Sequence, residues 1–206
     1  MNGVDLVKLQ QRFVVLDGMR GIAALMVLLY HETTTLCRMG YAAVDLFFVL
    51  SGFVLAYRYD GELANRDQRW NFAKRRLIRL YPLYFVGLVL GGIATSFLLG
   101  FCIKGWSVST YGLALLLAPI LIPLPIATPL GIFPLNGPSW SLLFEAVANS
   151  AFLGVGNRKP VAVLIVLLSL PALLLSLKLW YAGGGATVNE FLGGFARVLF
   201  SFFSEF

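Results

Sequence analysis

The chain has 206 residues, 59% of them hydrophobic and 13% charged, with 16 Lys and Arg against 10 Asp and Glu for a net charge of +6. A soluble domain is about half apolar and about a quarter charged, so this composition excludes a single soluble core and indicates a multi-pass membrane protein. The basic excess does not call for a nucleic-acid partner, because the basic residues cluster between apolar runs, where the positive-inside rule accounts for them.

Residues 1–12 form a short polar lead with Lys8 and Arg12. Asp5 and the late start of the apolar run argue against a secretory signal. The first span, 13–35, reads FVVLDGMRGIAALMVLLYHETTT and carries Asp17, Arg20 and His31, the only histidine in the chain. At about 100° per residue, Arg20 and His31 project about 20° apart and Asp17 about 60° from Arg20, with roughly 16 Å between Arg20 and His31 along the axis. Ionisable groups inside a span are costly and face a protein interior or a wet cavity by default, so this face marks a candidate site. The alternative is that Asp17 and Arg20 sit in the cytoplasmic interface and His31 is a satisfied interfacial residue.

A second span, 41–57, holds Asp45 near its start and Ser51 and Gly52 in its middle. The most charged stretch follows, 58–79, with seven Lys and Arg. Read as a loop, it lies in the cytoplasm, which places the N-terminus there and the short 33–40 loop outside. Residues 80–103 carry no charge and are long enough to span. Residues 106–135 are also uncharged but contain Pro119, Pro123, Pro125, Pro129 and Pro134, more than a regular helix absorbs. The expectation is a span over 110–122 followed by a broken or re-entrant segment, since non-helical backbone at membrane depth survives only where protein or a cavity shields it.

Pro138 and Ser139 open a helix through Trp140, Glu145 and Asn149 to about 155, proline being favourable in a first helical turn. A basic loop at 156–159, a span at 160–181, a glycine-rich external turn and a last apolar run at 191–206 with Arg197 inside it complete the chain. The expected fold is all-α, a polytopic transmembrane helical bundle of about six to seven spans, in one domain over 1–206. It belongs in the inner membrane with its N-terminus in the cytoplasm. Cys37 and Cys102 form neither a metal pattern nor a disulfide framework and are read as free thiols.

Three stretches carry chemistry. Neutral imidazole at His31 can take a proton from a hydroxyl near pH 7, with Asp45, Glu32 or Glu145 as candidate carboxylates to fix its tautomer. In KRRLIRLYPLY (74–84), Arg76 and Arg79 share a helix face and suit a diphosphate or 3′-phosphate, although basic residues also flank spans for topological reasons alone. In NGPSWSLLFEAVAN (136–149), Glu145 and Asn149 make a polar spot one turn apart, readable also as interhelical hydrogen bonding.

The ordered set LDGMRG, His31, AAVDLFFVLSGFVL, KRRLIRLYPLY and PSWSLLFEAVAN resembles the membrane-bound acyltransferase 3 family, the O-acyltransferases that modify O-antigen, capsule and exopolysaccharide sugars. The likeness covers about residues 13–150. It implies transfer of an acyl group, usually acetyl, from cytoplasmic acyl-CoA, with acetyl-CoA as co-substrate. The acceptor is a hydroxyl of a carbohydrate or lipid-linked glycan. The family's essential histidine falls on His31, the arginine of its LDG-x-RG motif on Arg20, its R-x-x-R pair for the acyl-CoA phosphates on Arg76 and Arg79, and the acidic residue of W-S-L-x-x-E on Glu145. His31 is then the general base, with Asp45 or Glu145 orienting it and Arg20 holding charge below it. No metal and no bound cofactor is implied, and membrane lipids surround the bundle. Members of the family have more spans than this chain, so the resemblance implies a polypeptide cut short at its C-terminus. Two other readings fit the same charges: a proton-coupled transporter, and an inactive remnant whose charges only hold helices together.

Overall fold

The computed structural model describes residues 3–33, 40–59, 65–101, 105–126, 128–155, 158–180 and 185–205, apart from the side chains of 3–13, 177, 179 and 180. Every regular element among the described residues is a helix: α1 (Gly3–Glu32), α2 (Ala42–Arg58), α3 (Arg66–Phe97), α4 (Val108–Leu117), α5 (Ser139–Val155), α6 (Lys159–Trp180) and α7 (Phe191–Phe203). Single 3-10 turns at Leu98–Phe101 and Ala118–Ile120 extend α3 and α4. Cys37, Cys102, most of the 33–40 loop, and parts of the 156–159 loop and the glycine-rich turn lie outside the described residues.

The helical segments Val14–Glu32, Arg66–Phe101 and Lys159–Ser176 are long and apolar enough to cross a membrane, and Val108–Ile120 and Phe191–Phe203 are shorter apolar helices. Large apolar side chains stand exposed along α1 (Val14, Ile22, Leu25, Leu28), along α3 (Leu83, Val86, Leu90, Phe97) and along α6 (Leu164, Leu167, Leu168, Leu175). In water such faces would drive aggregation; in lipid they cost nothing. The molecule is an all-α membrane bundle.

Two boundaries differ from the sequence reading. α1 begins at Gly3, so the polar lead is helical. α3 begins at Arg66, so most of the basic stretch read as a loop is the first turns of a long helix. The reason is local. Asn65 opens α3 and its N–H donates to the Gln68 side-chain oxygen at 3.2 Å, half of a capping box, and no proline or glycine follows until Pro82. Charge reports which side of a membrane a segment prefers, not whether its backbone is helical.

The bundle has two apolar cores. One joins α2, α5, α6 and α7 with the start of α3 around Phe48, Leu55, Phe72, Phe144, Phe152 and Phe202. The other joins the later part of α3 to α4 and the proline-rich segment around Tyr84, Leu88, Trp106, Ala114, Leu124 and Leu135. Small residues let backbones approach, as is usual where lipid leaves only packing to hold helices together. A Cβ on Gly52 of α2 would overlap the Phe202 carbonyl oxygen of α7, and one on Gly91 of α3 would overlap the Leu135 carbonyl oxygen.

The proline-rich segment is non-helical, as its composition predicts. α4 stops at Leu117, and after one 3-10 turn Leu121 takes the left-handed conformation (φ 58°). The carbonyls freed there are not left bare. The Tyr84 hydroxyl donates to the Ala118 carbonyl, and the Tyr81 hydroxyl to the Pro119 carbonyl at 3.2 Å. Leu124 N–H donates to the Ile132 carbonyl at 2.8 Å and Ile132 N–H to the Ala186 carbonyl at 3.2 Å. Leu124, Ile132, Phe133 and Leu135 are buried, so protein shields this irregular backbone.

Candidate functional site

The sequence offers two sets of polar residues on apolar helices, and the fold gathers them at two places. The first is a junction of α2, α3 and α5. Arg76 of α3 meets Glu145 of α5 at 3.8 Å, and the Ser51 hydroxyl of α2 donates to the same Glu145 oxygen at 3.4 Å. Both side chains are mostly buried, 15% exposed for Arg76 and 21% for Glu145. The guanidinium also lies over the Phe72 ring, 5.6 Å from its centroid, a cation–π contact that holds the charge without quenching it.

Arg79, one turn along α3, and Arg20 of α1 both add positive charge in the neighbourhood of Arg76. Arg20 makes its own pair with Asp17 at 3.3 Å, one turn along α1, where Asp17 is 72% exposed. The net positive field and the forked donors suit an anion with several oxygens. Arg79 is exposed while Arg76 is turned inward, so the two arginines of KRRLIR occupy different depths of the same patch.

From Arg76 an open groove of about 490 Å³ runs between α3, the 119–121 turn and α5. Its α3 wall is the helical stripe Phe72, Arg76, Leu80 and Tyr84; Leu142, Ala146 and Leu153 face it from α5. The lining is almost wholly apolar, within the size range of small-molecule clefts. Beside Arg76, its polar lining residues include Asn149 and Ser150. Asn149 is 6% exposed, lines the groove, and its Oδ1 has no hydrogen-bond partner among the described residues. An unsatisfied buried acceptor is expensive unless a ligand or water supplies a donor. The polar spot read for Glu145 and Asn149 is therefore divided: Glu145 turns to Arg76 and Ser51, while Asn149 Oδ1 is buried behind the groove wall.

The second place is the end of α1 and the start of α2. His31 is exposed, and its ring meets the Tyr30 ring edge-on at 5.5 Å; Tyr30 in turn meets Tyr41 at 6.3 Å. Among the described residues no hydrogen bond or ion pair joins His31 to Asp45, Glu32 or Glu145. Asp45 is instead held by Arg197 of α7, which donates from Nε at 2.5 Å and from Nη2 at 2.8 Å. The physical reason is strength: a buried guanidinium binds both carboxylate oxygens in parallel, which a single imidazole N–H does not match. Arg197 and Ser51 stand in the sequence as polar residues inside apolar runs, which is the signal that such side chains have partners within the protein.

A family model described as an acyltransferase domain matches residues 13–204. The chain is 34% identical over 183 residues to a Rhizobium radiobacter protein named "Protein 2 in picA locus", an alignment covering 80% of this chain and 93% of that one. It is 37% identical over 119 residues to "Acyltransferase MdmB" of Streptomyces mycarofaciens, covering 57% of this chain but 27% of that one. With a Staphylococcus aureus (strain COL) protein provisionally named an O-acetyltransferase it shares 38% identity over 87 residues, 40% of this chain and 14% of that one. The chain thus spans nearly all of the first relative and less than a third of the other two. No solved structure matches significantly.

Proposed function

This chain belongs to the acyltransferase domain family, and from that membership we propose that it is an integral-membrane O-acyltransferase moving an acyl group, acetyl in the simplest case, from acyl-CoA to a hydroxyl of a carbohydrate or lipid-linked sugar. The observation that carries the donor is the largely buried Arg76 at the head of an apolar groove, with Arg79 exposed one turn further along the same helix. In this reading the arginines bind the phosphates of CoA. Its uncharged arm lies against the apolar groove wall. The basic turns of α3 face the cytoplasm of the inner membrane, where CoA is available, and the N-terminus lies on the same side.

His31 is the general base. Its neutral imidazole takes the proton of the acceptor hydroxyl as the alkoxide oxygen attacks the thioester carbonyl. The C–S bond breaks, the acyl C–O bond remains, and the imidazolium returns its proton to the departing CoA thiolate. Glu145 is the resident counter-ion of Arg76, and Asp45 supports the His31 end from α2. Arg20 adds positive charge between the two places.

Binding of acetyl-CoA to the purified chain in nanodiscs, beside the Arg76→Ala/Arg79→Ala double variant, tests the donor site without any choice of acceptor. Saturable binding that the double variant loses is expected. A folded chain that does not bind, or a variant that binds as well, would remove acyl-CoA from the reading. Transfer activity retained in His31→Ala membranes would remove the base.

A further inference from the structure

We propose that Arg197 is a positioning residue for His31, acting across the bundle through Asp45, Tyr41 and Tyr30. The proposal rests on the reading of His31 as the base and adds to it an element, α7, that none of the motifs contains.

Arg197 is 6% exposed in the middle of an apolar helix. An arginine buried there must be fully engaged, and its partners show what it is engaged with. Two of its bonds go to the Asp45 carboxylate. A third, from Nη2, goes to the Tyr41 backbone carbonyl at 2.7 Å, and the guanidinium also lies 5.7 Å from the Tyr41 ring centroid. Tyr41 is the N-cap of α2 and its side chain makes no capping bond, so this first turn is fixed from outside, by α7. A pair that served only to join α2 to α7 would need Asp45 alone, and the two helices are already locked about two turns further along α2, where Gly52 admits the Phe202 backbone.

The Tyr41 ring faces α1. It touches Tyr30, which touches His31. α1 packs mainly against α2, and much of the rest of its surface is apolar and exposed. The Tyr30–Tyr41 contact is therefore the link that sets where the His31 end of α1 stands relative to the bundle. Planar groups in series transmit orientation well: a bidentate guanidinium fixes its plane against Asp45, the plane fixes Tyr41, and edge-to-face packing passes the constraint to Tyr30. Small displacements of a base from its proton are costly in rate, so the arrangement matters to the reaction without touching it.

The single histidine makes the test direct. The full chain is labelled with 13C-histidine in nanodiscs, where it yields one imidazole signal. Two variants are compared with the native chain: Arg197→Lys, which keeps the charge and loses the fork, and Tyr41→Leu, which keeps the ion pair and loses the ring. Displacement or broadening of the His31 signal is expected in both, with the helical circular-dichroism spectrum intact. In membrane vesicles carrying these chains, release of CoA from acetyl-CoA is expected to fall about 100-fold in kcat with KM for acetyl-CoA unchanged. An unmoved signal in the folded Tyr41→Leu chain overturns the proposal even if Arg197→Lys fails to fold. A signal that moves while His31→Ala membranes keep full transfer would leave the coupling standing and remove the base reading on which its purpose rests.

Discussion

Arg76 and Glu145 oppose each other at 3.8 Å across α3 and α5, with the Ser51 hydroxyl on the same carboxylate oxygen. The separation is long for a salt bridge and leaves the guanidinium fork only partly used. An incoming phosphate therefore competes with a weak internal anion. Glu145→Gln should tighten CoA binding about fivefold, the equivalent of releasing about 1 kcal/mol of ion pairing, while Ser51→Ala should change it little. Titration calorimetry in nanodiscs checks both; weaker binding by Glu145→Gln would mean that the carboxylate supports the donor site instead of competing for it.

Asp45 and Arg197 form the opposite case, a short bidentate pair in which the guanidinium is buried and the carboxylate partly exposed. Asp45→Asn takes the counter-charge from a buried guanidinium that keeps its bond to the Tyr41 carbonyl and should cost about 3 kcal/mol, whereas Asp45→Leu with Arg197→Met removes both charges and should cost much less. Thermal melting of the detergent-solubilised chains ranks the two. If the double variant melts no higher than the single one, the cost lies in lost packing and not in the stranded charge.

Tyr84 and Tyr81 bind neighbouring carbonyls at the end of α4, but Tyr84 is buried and Tyr81 is 39% exposed. Tyr84→Phe leaves the Ala118 carbonyl with the Leu121 N–H alone and should destabilise by about 1 kcal/mol; Tyr81→Phe, with water or headgroups to substitute, should cost less. Hydrogen exchange of the amides around 118–126 should accelerate in the first variant and change little in the second.

Gly52 sits where α2 and α7 touch backbone to backbone. Gly52→Ala should cost about 1–3 kcal/mol through overpacking, which no side-chain rotation relieves because the obstructing atom is a carbonyl oxygen. A melting temperature equal to that of the native chain would mean that α7 can shift away at no expense.

The helical class and the starts of α2 and α5 were legible in the sequence because apolar runs bounded by charge, proline or glycine are local signals. The proline-rich break after α4 was legible for the same reason. The start of α3 was not: a dense run of arginines reads as a loop when charge is taken as a topology signal, yet nothing in Arg66–Tyr81 interrupts a helix. Of the residues that the family motifs picked out, Arg20, His31, Arg76, Arg79 and Glu145, the fold pairs Arg76 with Glu145 and leaves His31 at the far end of α1 without either. The partner of Asp45 could not be read, because Arg197 lies 152 residues away and only tertiary packing decides between it and His31.

The groove wall on α3 stays helical from Arg76 to Tyr84, across Pro82, and this gives it the character of a ruler. From Arg76 to Tyr84 the rise is about 12 Å, fixed by residue count and not by any adjustable loop. Adding or deleting a single residue between them would change that length by only about 1.5 Å but would rotate one end against the other by about 100°, taking either the cation or the tyrosine out of the cleft. The segment 76–84 should therefore accept substitutions far more readily than changes of length, and any molecule lying along it is measured by the pitch of the helix.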